Sequence, residues 1–198
     1  CYPAAVSLFA AAGDESRESV DALASLASPG ETLIVVQAPE IPLPPGFEAE
    51  MRATLVQMVA EGPVPDVSDA RIVPLGWHHA EDMLELATLT KPGPFTLRAQ
   101  DFGPFWGIRE GGRLIAMSGQ RLGQPGFREL SGVCTHPDAR GQGLGRLMSL
   151  WGMARIRKGG DVPYLHAYAT NTAAISLYQS IGFRLRATMN MAVLQKVG

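Results

Sequence analysis

The segment Val133-Cys-Thr-His-Pro137-Asp-Ala-Arg140-Gly141-Gln142-Gly143-Leu144-Gly145-Arg146 limits what this chain can become more than any other. An apolar strand pattern ends and Pro137 prevents its continuation. A glycine-rich turn then opens a helical pattern, with Leu144, Leu147, Met148, Trp151 and Ala154 on one face. Glycine lets a backbone take positive φ and approach a ligand closely. The unpaired N–H groups at a helix start, together with the helix dipole, make a site for an anion such as a pyrophosphate. Arg140 and Arg146 add positive charge nearby. Three phosphate motifs compete for the segment. A P-loop requires Gly-Lys-Ser/Thr, and position 146 is Arg followed by Leu147. A dinucleotide fingerprint starts at Gly141-x-Gly143 and is broken by Arg146, where it needs glycine. Arg-x-x-Gly-x-Gly is filled by Arg140, Gly143 and Gly145. The plain alternative is a glycine-rich connection that holds no ligand.

The rest of the chain supplies a sheet for this turn. Proline and glycine cluster at Pro39 to Gly46 and again at Gly62-Pro63-Val64-Pro65-Asp66, which places a boundary near residue 67. Before it, the pattern predicts a helix over 14–27, capped by Asp14 or Ser19, and strands over 32–37 and 48–60. After it come a strand over 71–75, a helix over 81–90 stopped by Lys91-Pro-Gly-Pro94, and three meander strands over 105–109, 114–121 and 127–136. A helix from Leu144 to Gly159, a strand over 163–169, a helix over 171–180 and a strand over 183–195 follow. The order predicts an α/β (α+β) fold with a mixed, mostly antiparallel sheet and helices on both faces. Residues 1–67 form an N-terminal α/β extension and 68–198 the main domain. An internal echo links Gly46-Phe47 and Arg52-Ala53-Thr54 to Gly182-Phe183 and Arg186-Ala187-Thr188. It suggests that 1–67 is a degenerate half-copy; two unrelated amphipathic strands explain it equally well.

Composition narrows the partners. The chain has 198 residues, 46% hydrophobic and 18% charged, with net charge −2, which is ordinary globular chemistry. There is no run of five like charges, and Arg155, Arg157 and Lys158 read as a solvated helix end, so no nucleic-acid partner is expected. No apolar run reaches the ~18 residues of a membrane span, and the N-terminal order is not that of a signal peptide. Two cysteines, Cys1 and Cys134, are too few for a disulfide framework and fit a reducing, cytoplasmic setting. No carboxylate or cysteine lies at metal-ligand spacing from the histidines, so no metal site is expected.

A second motif gives the turn its meaning. Asn171-Thr-Ala-Ala174-Ile-Ser-Leu177-Tyr178-Gln-Ser-Ile-Gly182-Phe183 follows the turn after one helix and one strand. Strand, Arg-x-x-Gly-x-Gly, helix, strand, Asn-x-x-Ala-x-x-Leu-Tyr-x-x-x-Gly-Phe resembles the GNAT superfamily of N-acyltransferases. The specific match covers residues 127–186.

The resemblance implies roles for particular residues. The backbone of Val133, Cys134 and Thr135 would bond the pantetheine arm of acetyl-CoA, the cosubstrate. The amides of Gly141, Gln142, Gly143, Leu144, Gly145 and Arg146, aided by Arg140, would hold its pyrophosphate, and Asn171 would contact the arm or the adenylate side. Tyr178 would stand beside the thioester sulfur as general acid. No covalent intermediate is needed, so Cys134 is expected to pack. For the general base, Glu129 on the strand leading to the cofactor site is the first candidate; a solvated carboxylate near a hairpin is the competing explanation. Ser131 could position a water, and His166, on a strand with Tyr164 and Tyr168, could face the acceptor or sit in the core. The resemblance points to acetylation of a small-molecule amine, with a protein or peptide amine, or a non-catalytic acyl-CoA-binding module, as alternatives. Family members usually finish with two strands after Gly-Phe, whereas about fifteen residues remain here. Part of the acceptor wall would then come from residues 1–67 or from the second subunit of a homodimer.

Overall fold

The strand and helix patterns condense into one sheet in the computed structural model, which describes residues 8–197; Cys1 lies outside them. In chain order the elements are β1 (Phe9–Ala10), α1 (Arg17–Ala24), β2 (Thr32–Gln37), β3 (Phe47–Val59), β4 (Ile72–Leu75), α2 (Ala80–Thr90), β5 (Phe105–Glu110), β6 (Arg113–Gln124), β7 (Phe127–Thr135), α3 (Leu144–Lys158), β8 (Val162–Tyr168), α4 (Thr172–Ser180) and β9 (Arg184–Lys196). The strands lie in the order β1-β2-β9-β3-β8-β7-β6-β5-β4. β1 runs parallel to β2 and β7 runs parallel to β8; the other neighbours are antiparallel. The mixed, mostly antiparallel sheet is the one expected.

Local chemistry explains most boundaries. α1 starts at Ser16 rather than at Asp14 or Ser19, because the Ser16 hydroxyl accepts from the Ser19 amide while Asp14 accepts from Ser16. α2 ends where Lys91 turns to a left-handed φ of 50°. Gly111 and Gly112, both at positive φ, make the tight turn between β5 and β6.

The packed face of α3 differs from the expected seam. Its buried residues are Leu144, Met148, Ser149, Leu150, Gly152, Met153 and Ile156, while Leu147 and Trp151 are only partly buried. Small side chains make the closest approach to the sheet. A Cβ on Gly152 would lie 2.4 Å from Leu130 Cδ1. Gly152→Val is therefore expected to cost about 1–3 kcal/mol through overpacking, read as a lower urea midpoint at unchanged slope.

The N-terminal strands enter the middle of the sheet. β3 lies between β9 and β8, pairing with β9 from Phe47↔Lys196 to Val59↔Arg184 and with β8 from Leu55↔Tyr168 to Val59↔Tyr164. β2 closes the other flank of β9. Exchanging β2 with β8 and β3 with β9 simply reverses the order β2-β9-β3-β8. Both members of each sequential pair also run in the same direction, which is the arrangement that a duplicated half would produce. α4 has no counterpart between β2 and β3.

Candidate active site

Two neighbouring strands separate at the centre of the sheet. β7 and β8 are paired only at Phe127↔Val162, Arg128↔Pro163 and Glu129↔Tyr164. Beyond Glu129 the strands diverge. In β7, Met117↔Cys134 and Gly119↔Ser131 bracket a bulge that takes Gly132 and Val133 out of the regular ladder on β6. Gly132 has φ 61°, and a Cβ there would meet the Phe105 ring at 2.9 Å. The bulge thus turns Val133 to the wedge between the strands. Val133, Asn171, Ala174 and Tyr178 line that wedge.

The turn sits at one end of it. Gly141 and Gly143 have φ 77° and 75°, and a Cβ on either would meet no protein atom within 4 Å. The first turn of α3 has Gly143 as its N-cap and no side-chain cap. Its leading amides are therefore available to an anion. Arg140 and Arg146 are exposed beside it. Leu144 is buried in the core, so only its amide can serve a ligand. Gly145 lies against Thr135 and Leu177.

Asn171 caps α4 by accepting from the Ala174 amide at 3.1 Å, which leaves its side-chain NH₂ for other work. Tyr178 packs edge-on against Phe183, with 5.7 Å between ring centres. Burial, and to a smaller extent the neighbouring Cys134, push its phenol up to about 12. Cys134 is buried with Met117, Leu86 and Phe105, and burial pushes its thiol up to about 11. It packs, as expected.

Away from the turn the wedge widens into a cavity, and the two together enclose about 670 Å³. Phe9, Leu26, Val36, Leu55, Met189 and Met191 give it apolar walls, four of them from the first 67 residues. A polar row crosses its floor. Glu129 is 1% exposed, which excludes the solvated-carboxylate explanation. Arg121 clamps it with bonds of 2.8 and 2.9 Å, and His166 Nδ1 lies 2.9 Å from its other flank. Burial opposes the charge on Glu129. The Arg121 charge and the bonds from Arg121 and His166 outweigh that opposition and hold the carboxyl at about 2. Its oxygens are thus engaged and weakly basic, which is poor equipment for the direct base expected.

The row continues through His166 to Gln57 and Arg186. His166 Nε2 is 3.0 Å from Gln57 Nε2, and Arg186 donates to Gln57 Oε1. Arginine can only donate, so the Gln57 carbonyl faces Arg186 and its NH₂ faces His166. His166 Nε2 must then accept, and its Nδ1–H donates to Glu129. Glu129, Tyr164 and His166 face the cavity, while the adjacent Leu130 and Leu165 face the α3 core. Sequence reasoning could not find Gln57 or Arg186, since strand partners of opposite ends of the chain leave no local signal. Ser131 lies not in this cavity but in a small adjoining hollow with Phe95 and Phe105. His136 accepts from the Asp138 amide and faces away from the row.

Comparisons with known proteins place this geometry. The FR47-like protein family model matches residues 105–192. A putative acetyltransferase from the GNAT family of Novosphingobium aromaticivorans is 40% identical in sequence. The match covers 98% of this chain and 86% of that one, with a TM-score of 0.91. The chain belongs to the GNAT family. The splayed strands and uncapped glycine turn are therefore the parts of a GNAT fold. Shorter matches join this GNAT protein to the N-alpha-acetyltransferase RimI of Mycobacterium tuberculosis, 40% identical over 83 residues, and to the mycothiol acetyltransferase of Thermobispora bispora, 46% identical over 52 residues. They cover 39% and 26% of this chain and 50% and 18% of those proteins. The chain thus spans half or less of the length of these two relatives. Among the described residues no helix is long and apolar enough to cross a membrane, and no cluster of His, Cys, Asp or Glu could hold a metal ion.

Proposed function

We propose that this protein transfers the acetyl group of acetyl-CoA to the amine of a small molecule. The observation that carries the reading is the continuity of the β7–β8 wedge, with an uncapped glycine turn at one end and an apolar, polar-floored cavity at the other. The amides of residues 141–146 hold the pyrophosphate, with Arg140 and Arg146 adding charge. Val133, Cys134 and Thr135 present backbone to the pantetheine arm, and the NH₂ of Asn171 completes that contact.

The arm brings the thioester to the bulge at Val133. An amine from the cavity attacks the carbonyl carbon, and the Val133 amide stabilises the oxyanion that develops. The C–S bond breaks, and Tyr178, protonated at neutral pH, gives its proton to the leaving thiolate. The amide nitrogen returns a proton to Tyr178, directly or through water. A half-enclosed apolar cavity favours a small acceptor over a protein chain. The free Cys134 thiol is compatible with a reducing, cytoplasmic setting.

Calorimetric titration tests the cofactor site. Acetyl-CoA is expected to bind in the micromolar range and NADH not to bind. Gly143→Glu, which puts a carboxylate where the pyrophosphate would lie and strains a positive φ, should lose binding while the protein still folds. A folded wild-type protein that takes no acetyl-CoA would sink the reading.

A further inference from the structure

We propose that His166 Nε2, and not Glu129, takes the proton from the acceptor amine, with Glu129 acting as the positioning residue that holds His166. This assignment rests on the acetyl-transfer reading above. The two groups offer different chemistry. Glu129 is sealed, with Arg121 on both oxygens and His166 on one. His166 lies on the cavity wall, and its hydrogen-bond row leaves one lone pair, on Nε2. The partner of that lone pair is an amide NH₂ from Gln57, itself a wall residue. An amide NH₂ is a neutral donor that an ammonium group can displace. The incoming N–H donor then takes the place of the Gln57 N–H, and the stronger, charge-assisted bond replaces the neutral one.

The charges around His166 favour this transfer. From β7 it faces Glu129, from β6 Arg121, and from β9, across Gln57, Arg186; Tyr164 of its own strand stacks edge-on at 5.7 Å. Among the described residues no second carboxylate lines the cavity to hold an ammonium ion, and Lys91 adds a further cation to its wall. A proton taken up at Nε2 leaves the positive charge on a ring already bonded to the Glu129 carboxylate, a contact that Glu129, sealed by Arg121 and His166, does not offer the ammonium ion itself. Glu129 stabilises the imidazolium that forms. The balance is complete: R–NH₃⁺ passes one proton to Nε2, and the resulting R–NH₂ forms the C–N bond as the C–S bond breaks. Tyr178 protonates the thiolate, the amide nitrogen restores Tyr178, and the imidazolium releases its proton to solvent.

The test uses acceptors of graded basicity. With a strongly basic alkylamine near pH 7, His166→Ala is expected to lose about 10²-fold or more in kcat, with acetyl-CoA binding measured by calorimetry unchanged. The loss should shrink steadily as the acceptor's own basicity falls, and vanish for an aniline-like amine that arrives neutral. A merely structural histidine would give one deficit for every acceptor. His166→Asn, which keeps a polar group beside Glu129, carries the same comparison if the alanine variant does not fold. A deficit independent of acceptor basicity, or none at all, overturns the assignment while leaving the transferase reading standing. Failure of wild-type protein to bind acetyl-CoA overturns both.

Discussion

Tyr178→Phe is expected to lower kcat by about 10²–10³-fold, the range for loss of a positioned general acid, and to leave acetyl-CoA binding in place. The ring remains, so the edge-on contact with Phe183 and the packing against the α3 core survive. The hydroxyl alone is removed from the wedge. Burial pushes that hydroxyl up to about 12, so it stays protonated through the whole range in which the protein can be assayed. Wild-type kcat should consequently show no alkaline loss attributable to Tyr178 below about pH 11, a unit short of that value. Steady-state kinetics beside a calorimetric titration would decide the matter. Full turnover by the phenylalanine variant would move the acid elsewhere.

Glu129→Ala should cost about 3–5 kcal/mol of stability, because it strands the buried Arg121 charge and breaks the hydrogen bond to His166. The pH dependence has a definite sign. The folded carboxyl is held at about 2 against an ordinary 4.5, so its contribution is complete above about pH 4.5 and is lost as pH falls toward 2. Urea denaturation at pH 7 and at pH 3 should show the gap between variant and wild type narrowing at the lower pH. A gap that stays constant or widens would mean that Glu129 is not held as an ion.

Some of this site was legible before the fold was known. The glycine turn, the Asn171 cap and the placement of Tyr178 on the next helix are local features, written in consecutive residues. So is the β2 span at Thr32–Gln37. The surroundings of Glu129 were not legible. Its partner Arg121 lies across a hairpin whose register shifts between Gln120 and Gly123, and its second partner is on a strand beyond α3. Counting alternate positions from the turn cannot recover either. Hydrophobic counting misplaces the packing face of α3 because it passes over Ser149 and Gly152, whose smallness brings the helix close.

The placement of β3 also bears on synthesis. Gln57 and its partner Arg186 are 129 positions apart, and both neighbours of β3 follow α3 in the chain. A ribosome adding about 5–20 residues per second holds β3 unpaired for several seconds or more, with both of its edges open. Unpaired edges recruit other chains, and pairings this distant close slowly. The nascent protein is thus vulnerable to aggregation until β9 emerges, and its yield should depend on chaperone supply more than its final stability would suggest.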